Sequence, residues 1–303
     1  MTIVGLVMLC FGGNWLVSGG ISIAKKFRIS NLVIGMTIVA YGTSTPELAA
    51  SVAAAGEHGA IILGNIIGSN IANVGMVIGV AAMIVPIAVS KSLLRKEIPI
   101  MLAVSFLLVL ISIDGELTQY DGMLLLAGLG VFAFYTIKDA MKNREQKDEN
   151  PIPEKNNVYL KAIGLIGIGI TLLYVGAILT VDNAVILAKE FGLSEKIIGL
   201  TVIAIGTSLP ELITSLIAIK KGQNDIGVGN IVGSNVYNIL MIMGVGAALG
   251  GVMISPDVYL DYAVMIIFSI SLFIALKTGV INRVMGVCLA SGYVAYLIVM
   301  FFN

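Results

Sequence analysis

The sequence predicts an all-α membrane protein with ten transmembrane helices, arranged as two inverted five-helix repeats in which helices 2 and 7 are broken. Three observations predict this fold. The first is composition: the 303 residues have a mean hydropathy of +1.00 and only 12% are charged, which excludes an ordinary soluble domain. The second is an internal repeat of sequence motifs, and the third is an uneven distribution of Lys and Arg between the connecting segments.

Apolar segments follow one another along the whole chain. A helix that crosses a bilayer core of about 30 Å needs about 20 residues, and ten apolar segments approach or exceed that length. The only long polar stretch, residues 138–157, contains the charged run Arg144–Pro151 and is typical of a solvated linker. We therefore predict a first five-helix repeat at 1–137, a linker at 138–157 and a second five-helix repeat at 158–303.

The two halves carry the same motifs at a nearly constant spacing. Gly42–Glu47 (GTSTPE) returns 164 positions later as Gly206–Glu211 (GTSLPE), and Gly64–Asn70 (GNIIGSN) returns as Gly229–Asn235 (GNIVGSN). Five predicted helices separate corresponding positions, and five is an odd number. The second half therefore crosses the membrane in the opposite direction, an arrangement typical of secondary transporters with a midplane site.

The basic residues indicate which end of the bundle faces the cytoplasm. All but Lys189 and Lys196 of the 18 Lys and Arg residues fall in connections on one side of the predicted ten-helix arrangement. Connections rich in Lys and Arg stay on the cytoplasmic side of a cell membrane. The prediction is a multi-pass protein whose 138–157 linker is cytoplasmic and whose two termini are extracellular.

Prolines lie in the middle of the second and seventh predicted helices. Pro46 and Pro210 each remove a backbone donor and clash with the preceding turn, so both helices should break there. In the second helix we expect the break within Gly42–Thr45, with Thr45 capping the helix that restarts. Unwound backbone at this depth is tolerated where it lines a polar cavity. The carbonyls expected to become available to a cation are those of Ala40, Thr43, Ala204 and Thr207.

Two carboxylates directly follow these breaks. Glu47 and Glu211 lie in apolar surroundings, where an ionised side chain costs roughly 2.5–3.5 kcal/mol on insertion scales and therefore indicates a functional site. The dipole of the restarted helix also favours a negative charge in its first turn. Two such residues in duplicated settings predict one cation site assembled from both halves.

Helices three and eight add a polar stripe on one face. Carboxylate, hydroxyl, amide and carbonyl oxygens suit Ca²⁺ or Na⁺, whereas thiolate and imidazole ligands are missing from these motifs. Such stripes also serve as hydrogen-bonding contacts between helices, and Asn70 and Asn235, one position off the stripe, are interpreted as packing residues or as residues that support the ligands from behind. The stripe residues, spaced i, i+4 and i+8, are Asn65, Ser69 and Asn73, and again Asn230, Ser234 and Asn238.

The doubled GTSxPE and GNxxGSN motifs resemble those of the sodium/calcium exchanger family, within the calcium/cation antiporter superfamily, and the short linker resembles that of its prokaryotic members. The resemblance covers the whole chain. It implies an antiporter, not an enzyme, that exchanges Na⁺ for Ca²⁺ by alternating access and binds both ions as substrates without a further cofactor. The ion ligands that it implies are Glu47, Thr43, Ser44, Ala40, Ser69 and Asn73, and from the second repeat Glu211, Thr207, Ser208, Ala204, Ser234 and Asn238.

Two alternatives remain open from the sequence. One is an exchanger of the same fold that couples Ca²⁺ to H⁺ or another cation, although proton-coupled relatives usually lack the GTSxPE form. Asn238 stands where K⁺-dependent relatives carry Asp, which leaves two carboxylates in the implied site. The other alternative is a cation channel, which midplane inverted repeats in one chain disfavour. The expected partners are Ca²⁺, Na⁺ and the lipid bilayer, with no nucleic acid and a single chain as the functional unit.

Overall fold

The computed structural model describes residues 2–54, 59–144, 157–190, 204–256 and 258–302, and these are almost entirely helical. The helices of the first half are α1 (Thr2–Phe27), α2 (Asn31–Thr43), α3 (Thr45–Ala54), α4 (Gly59–Ala72, continued by the π-helical segment Asn73–Ile78 and by Gly79–Ile84), α5 (the π-helical turn Leu93–Glu97, continued by Ile98–Ile111) and α6 (Gln119–Arg144). Those of the second half are α7 (Asn157–Glu190), α8 (Ala204–Thr207), α9 (Leu209–Lys220), α10 (Asn224–Tyr237, continued by the π-helical segment Asn238–Met243 and by Gly244–Gly250), α11 (Val258–Ser271, continued by Leu272–Ile274 and Ala275–Thr278) and α12 (Arg283–Phe302).

Among the described residues, seven helices are long and apolar enough to cross a membrane. The predicted second span is divided into the shorter helices α2 and α3, and the predicted seventh span falls partly on 191–203, outside the described residues. The chain is thus a helical membrane protein, while the count of ten spans and their inversion stay predictions. The seven segments are Thr2–Phe27, Ile62–Ile84, Gln119–Lys142, Tyr159–Ile186, Asn224–Gly250, Val258–Thr278 and Arg283–Met300.

Four strands of two residues each connect the two halves at the helix ends and are the only departure from helix and loop among the described residues. β1 (Ile87–Ala88) pairs antiparallel with β4 (Val280–Ile281), and β2 (Glu116–Leu117) pairs antiparallel with β3 (Val252–Met253). Each pair joins a connection of the first half to one of the second. Backbone groups in these connections have no helical partner, and pairing satisfies their hydrogen bonds.

The predicted linker begins inside a helix. Residues 138–144 belong to α6, which continues to Arg144, and α7 begins at Asn157. Residues 145–156 lie outside the described residues.

Helices α1 and α7 pack against each other through glycines. A Cβ atom added to Gly12 would lie 2.9 Å from the carbonyl oxygen of Gly169, and one added to Gly19 would lie 2.9 Å from that of Ala162. The residue numbers rise on one helix as they fall on the other, so the helices are antiparallel. Small residues at these positions let the two backbones approach closely.

The most buried helices are α4 and α10. Of their apolar segments, 78% and 83% are buried, against 22% for α6 and for α12. Helix α10 also crosses α2 closely, because a Cβ added to Gly233 would lie 2.7 Å from the Cα of Met36. The two helices that carry the predicted polar stripes therefore form the centre of the bundle.

Candidate cation site

Both motif helices are interrupted at a serine. Ser44 separates α2 from α3 with φ −83° and ψ 7°, and Ser208 separates α8 from α9 with φ −86° and ψ 1°. The predicted breaks are present, and their backbone geometry is nearly the same in both halves. The capping role predicted for Thr45 was wrong, because its hydroxyl donates to the Tyr41 carbonyl at 2.9 Å. A threonine hydroxyl can bond to the carbonyl four residues earlier and then caps nothing.

The break does not free the carbonyl of Ala40. This oxygen accepts from the Ser44 amide at 3.0 Å and from the Thr43 hydroxyl at 3.2 Å. The expectation of an unengaged Ala40 carbonyl is therefore not met, because Ser44 keeps its helical hydrogen bond although its ψ angle departs from helical values. Ala204, its counterpart, begins α8, and only its backbone is described.

The two carboxylates lie in the first turn after each break and are buried. Glu47 is 2% exposed and Glu211 is 1% exposed. The Ser44 hydroxyl donates to Oε1 of Glu211 at 3.2 Å, which is a direct contact between the two halves. The structure thus places both predicted carboxylates in one buried region, where the break of the first half contacts the carboxylate of the second.

Each carboxylate helix packs on the polar helix of the other half. Helix α9, which carries Glu211, contacts the π-helical segment that begins at Asn73, and α3, which carries Glu47, contacts the one that begins at Asn238. A π-helical segment changes the phase of a helix and is frequent at functional sites. The helix that carries the carboxylate of one half is therefore packed against the segment that begins with the asparagine of the other.

Six buried oxygens in this group have no hydrogen-bond partner among the described residues. A buried polar oxygen without a partner costs roughly 1–3 kcal/mol, and more when it is charged. Each such group in a native structure calls for an explanation, for which a bound ion is one. The six oxygens, all on predicted ligands, are Oε2 of Glu47, Oε2 of Glu211, Oγ of Ser69, Oγ of Ser208, Oδ1 of Asn73 and Oδ1 of Asn238.

The amide nitrogens beside these oxygens are held by two further asparagines. Asn73 Nδ2 donates to Asn235 Oδ1 at 3.0 Å, and Asn238 Nδ2 donates to Asn70 Oδ1 at 3.0 Å. Asn70 and Asn235 in turn donate to each other's backbone carbonyl, both at 3.3 Å. Of the two roles expected for Asn70 and Asn235, these contacts favour support of the predicted ligands, because their side chains hold the Asn238 and Asn73 amides.

The two halves of the group differ in their hydrogen bonds. Besides its contact with Glu211, Ser44 Oγ lies 3.1 Å from Ser234 Oγ. The hydroxyls that correspond to these two in the repeat, on Ser208 and Ser69, have no partner among the described residues. Thr43 donates to Asn230 Oδ1 at 3.1 Å, whereas the equivalent contact from Thr207 to Asn65 Oδ1 is 3.4 Å. Among the described residues, the surroundings of Ser44 therefore contain more hydrogen bonds than those of Ser208.

Three buried hydroxyls next to the carboxylates were not predicted. Ser51 and Ser215 lie one helical turn after Glu47 and Glu211, and Thr214 lies beside Ser215. Ser215 accepts from Asn230 Nδ2 at 2.9 Å, while the hydroxyls of Ser51 and Thr214 have no described partner. The sequence signal that could have predicted these hydroxyls is their position three or four residues after a carboxylate, on the same helix face.

Comparison with known proteins identifies the family. The family model described as "Sodium/calcium exchanger protein" matches residues 1–138 and 161–302. The inner membrane protein YrbG of Escherichia coli is 36% identical, covering 99% of this chain and 96% of its own length. The sodium/calcium exchanger MaX1 of Methanosarcina acetivorans is 32% identical, covering 99% and 97%.

A solved structure agrees over nearly the whole chain. The sodium-calcium exchanger NCX_Mj soaked with zero Na⁺ and Ca²⁺ aligns with a TM-score of 0.85 and 34% identity, covering 98% of this chain and 97% of that one. The fold, the buried carboxylate group and these matches lead to one conclusion. This chain is a multi-pass membrane protein that belongs to the sodium/calcium exchanger family.

Proposed function

We propose that the protein is a secondary active antiporter that exchanges Na⁺ for Ca²⁺ across the cell membrane by alternating access. Both ions bind in turn at the buried group described above, and the single chain is the functional unit. The proposed ligands are Glu47, Thr43, Ser44, Ala40, Ser69 and Asn73 from the first half and Glu211, Thr207, Ser208, Ala204, Ser234 and Asn238 from the second. The Ala and Thr residues act mainly through their backbone carbonyls. The Ala40 carbonyl can therefore bind an ion only when the hydrogen bonds that it now accepts lengthen.

The six unpartnered oxygens carry this proposal. They come from two carboxylates, two hydroxyls and two amides, which are the hard ligands that Ca²⁺ and Na⁺ prefer. Two carboxylates neutralise one Ca²⁺ or share several Na⁺, so the two cargoes compete for the same oxygens. Without a cation, two buried negative charges remain uncompensated, and that state resists crossing the barrier. The same residues that bind the ions therefore prevent an uncoupled leak.

Several features support two inverted five-helix repeats at 1–137 and 158–303. Equivalent serines interrupt the motif helices, and the π-helical segments of α4 and α10 begin at equivalent asparagines. The family model also matches two segments separated by residues 139–160, close to the proposed linker at 138–157. Together with the basic residues on one side, this supports ten spans, a cytoplasmic linker and extracellular termini.

Helices α1 and α7 are the proposed moving pair. Their glycine contacts make them one packed unit, whereas α4 and α10 are buried in the rest of the bundle. Ile170 of α7 faces the first break, since a Cβ added to Gly42 would lie 2.9 Å from its Cγ1. Sliding of this pair along the remaining helices would expose the site to one side and then the other.

Sodium is the proposed coupling ion. MaX1 and NCX_Mj are named as sodium/calcium exchangers, and the doubled GTSxPE motif favours Na⁺ over H⁺. The deciding experiment is ⁴⁵Ca²⁺ uptake into proteoliposomes driven by an imposed gradient of Na⁺, K⁺ or H⁺. We expect uptake with the Na⁺ gradient alone and stimulation by Ca²⁺ on the opposite side. Uptake driven equally by H⁺ would contradict Na⁺ coupling, and flux without trans-stimulation would indicate a channel.

A further inference from the structure

A cavity with several polar side chains in its wall lies at the end of the bundle where the basic residues gather. Its volume is about 170 Å³, and none of the twelve proposed ligands lines it. Its wall comes from the start of α2, the start of α5, the last third of α6 and the start of α10. Three carboxylates, on Glu97, Asp139 and Asp225, contribute to this wall.

Glu97 is a buried carboxylate with an unsatisfied oxygen. The residue is 4% exposed, and its Oε1 accepts a hydrogen bond from the Tyr135 hydroxyl at 3.4 Å. Its Oε2 has no partner among the described residues. A buried acceptor of this kind is costly until it gains a proton or a cation.

The charges around the cavity favour a cation. Lys96 Nζ lies 2.9 Å from Asp139 Oδ1, and the Lys96 side chain is 47% exposed against 15% for Asp139. The ammonium group is therefore at the rim and the carboxylate is deeper in the wall. Glu97 and Asp225 also line the wall, so the cavity presents carboxylates besides the one that Lys96 contacts.

The size of the cavity indicates how the ion is held. Among the described residues, no three acidic side chains are placed to chelate a metal directly. A water molecule takes about 30 Å³ of liquid volume, so the cavity has room for an ion with several waters. Water molecules then bridge the ion and those carboxylates that are too far away to bind it directly.

We propose that this cavity is a second cation site, which binds a partly hydrated Ca²⁺ through Glu97 with help from Asp139 and Asp225. A face rich in Lys and Arg repels cations and lowers their local concentration. An acidic pocket within that face attracts cations and raises their concentration there. The pocket includes Met36, which contacts Gly233 at the crossing of α2 and α10. It therefore lies at the basic-end entrance to the helices that hold the central site. Its role in transport rests on the proposed function, whereas ion binding does not.

Binding is tested with Tb³⁺, which replaces Ca²⁺ and emits when a nearby tyrosine is excited. The full chain carrying Glu47→Gln and Glu211→Gln is used, so that the central site does not contribute. We expect emission that Ca²⁺ displaces, an affinity at least about tenfold weaker after Glu97→Gln, and reduced emission after Tyr135→Phe. The matched control is Glu116→Gln, at an exposed carboxylate in β2, which should change nothing. Unchanged Tb³⁺ affinity in a folded Glu97→Gln variant would overturn the proposal. The proposal would also be overturned if the parent protein, in which Glu97 is present, gave no Tb³⁺ emission.

The role in entry is tested by transport with the central site intact. In proteoliposomes of one orientation, Glu97→Gln should raise the half-saturating Ca²⁺ concentration severalfold at the basic end and leave the maximal rate and the other end unchanged. Equal shifts at both ends would contradict a role in entry. Failure of the unsubstituted protein to exchange Na⁺ for Ca²⁺ would instead contradict the proposed function, and the Tb³⁺ result would still decide whether the cavity binds a cation.

Discussion

The side-chain amide of Asn73 donates a 3.0 Å hydrogen bond to Oδ1 of Asn235, on the polar helix of the other half. Asn238 and Asn70 form the same contact in the reverse direction, also at 3.0 Å. Because each amide nitrogen is held by an acceptor, the carbonyl oxygens of Asn73 and Asn238 are left for the site. In the proposed site, the two off-stripe asparagines therefore leave oxygens and not N–H groups for an ion.

The first prediction tests this orientation. Asn70→Leu and Asn235→Leu keep a similar volume but remove the groups that hold the ligand amides. Each should weaken apparent Ca²⁺ affinity by about 10–100-fold, the usual effect of losing a residue that orients a metal ligand. The measurement is Ca²⁺-dependent ⁴⁵Ca²⁺ exchange in liposomes. The control is Asn183→Leu, at a residue that hydrogen-bonds to the Leu179 carbonyl of its own helix. A shift of the same size in this control would refute the orienting role of Asn70 and Asn235.

The second prediction concerns the unequal hydrogen bonds of the two break serines. Ser44→Ala removes the donor to buried Oε1 of Glu211. A hydrogen bond to a charged group contributes about 1.5–3 kcal/mol, so the ion-free protein should lose stability of that order. Ser208→Ala removes a hydroxyl without a described partner and should cost less. Thermal unfolding in detergent without Ca²⁺ or Na⁺ compares them, and equal losses would contradict the asymmetry.

The third prediction tests Asn238. In Asn238→Asp the donor to Asn70 Oδ1 is lost, and a carboxylate oxygen faces that acceptor unless it carries a proton. A third buried carboxylate near Glu47 and Glu211 also favours the protonated form by like-charge repulsion. We expect Na⁺-driven Ca²⁺ flux to fall more steeply than in the unsubstituted protein as pH decreases from 8.5 to 5.5. Superimposable pH and Na⁺ profiles in a folded variant would remove Asn238 from the site.

The fourth prediction tests sidedness. Gln119 and Lys142, at opposite ends of α6, are both exposed and are replaced singly by cysteine in a chain without Cys10 and Cys288. A membrane-impermeant maleimide should label position 119 from the outside and position 142 from the cytoplasmic side. Labelling of both from the same side would contradict the proposed topology.

The parts of the site that depend on local sequence were predictable. Pro46 and Pro210 predicted helix breaks because proline disrupts the preceding turn regardless of tertiary context, and Ser44 and Ser208 interrupt the helices as expected. The i, i+4, i+8 spacing similarly predicted that Ser69 and Asn73 share a face.

The remaining parts of the site depend on the rotational phase of the helices and on the packing between helices. Neither is visible in a sequence pattern. The π-helical segments from Asn73 and Asn238 are not visible as a periodicity, and they accompany the crossed contacts with Asn70 and Asn235. The Ala40 carbonyl keeps its partners because the turn at Ser44 is tighter than an unwound segment. The cavity at Glu97 arises only where four helices meet.

The central claim is that Glu47 and Glu211 form one site that carries both ions. Glu47→Gln and Glu211→Gln keep shape and remove one charge each, so each should lower Na⁺-driven ⁴⁵Ca²⁺ uptake by about 100-fold or more. The measurement is the initial rate in proteoliposomes with matched amounts of monodisperse protein, with the exposed Glu116→Gln as control. The account predicts loss of Na⁺-driven Ca²⁺ uptake in both glutamate variants and full activity in the control. Near-normal Ca²⁺ uptake in either glutamate variant would contradict it.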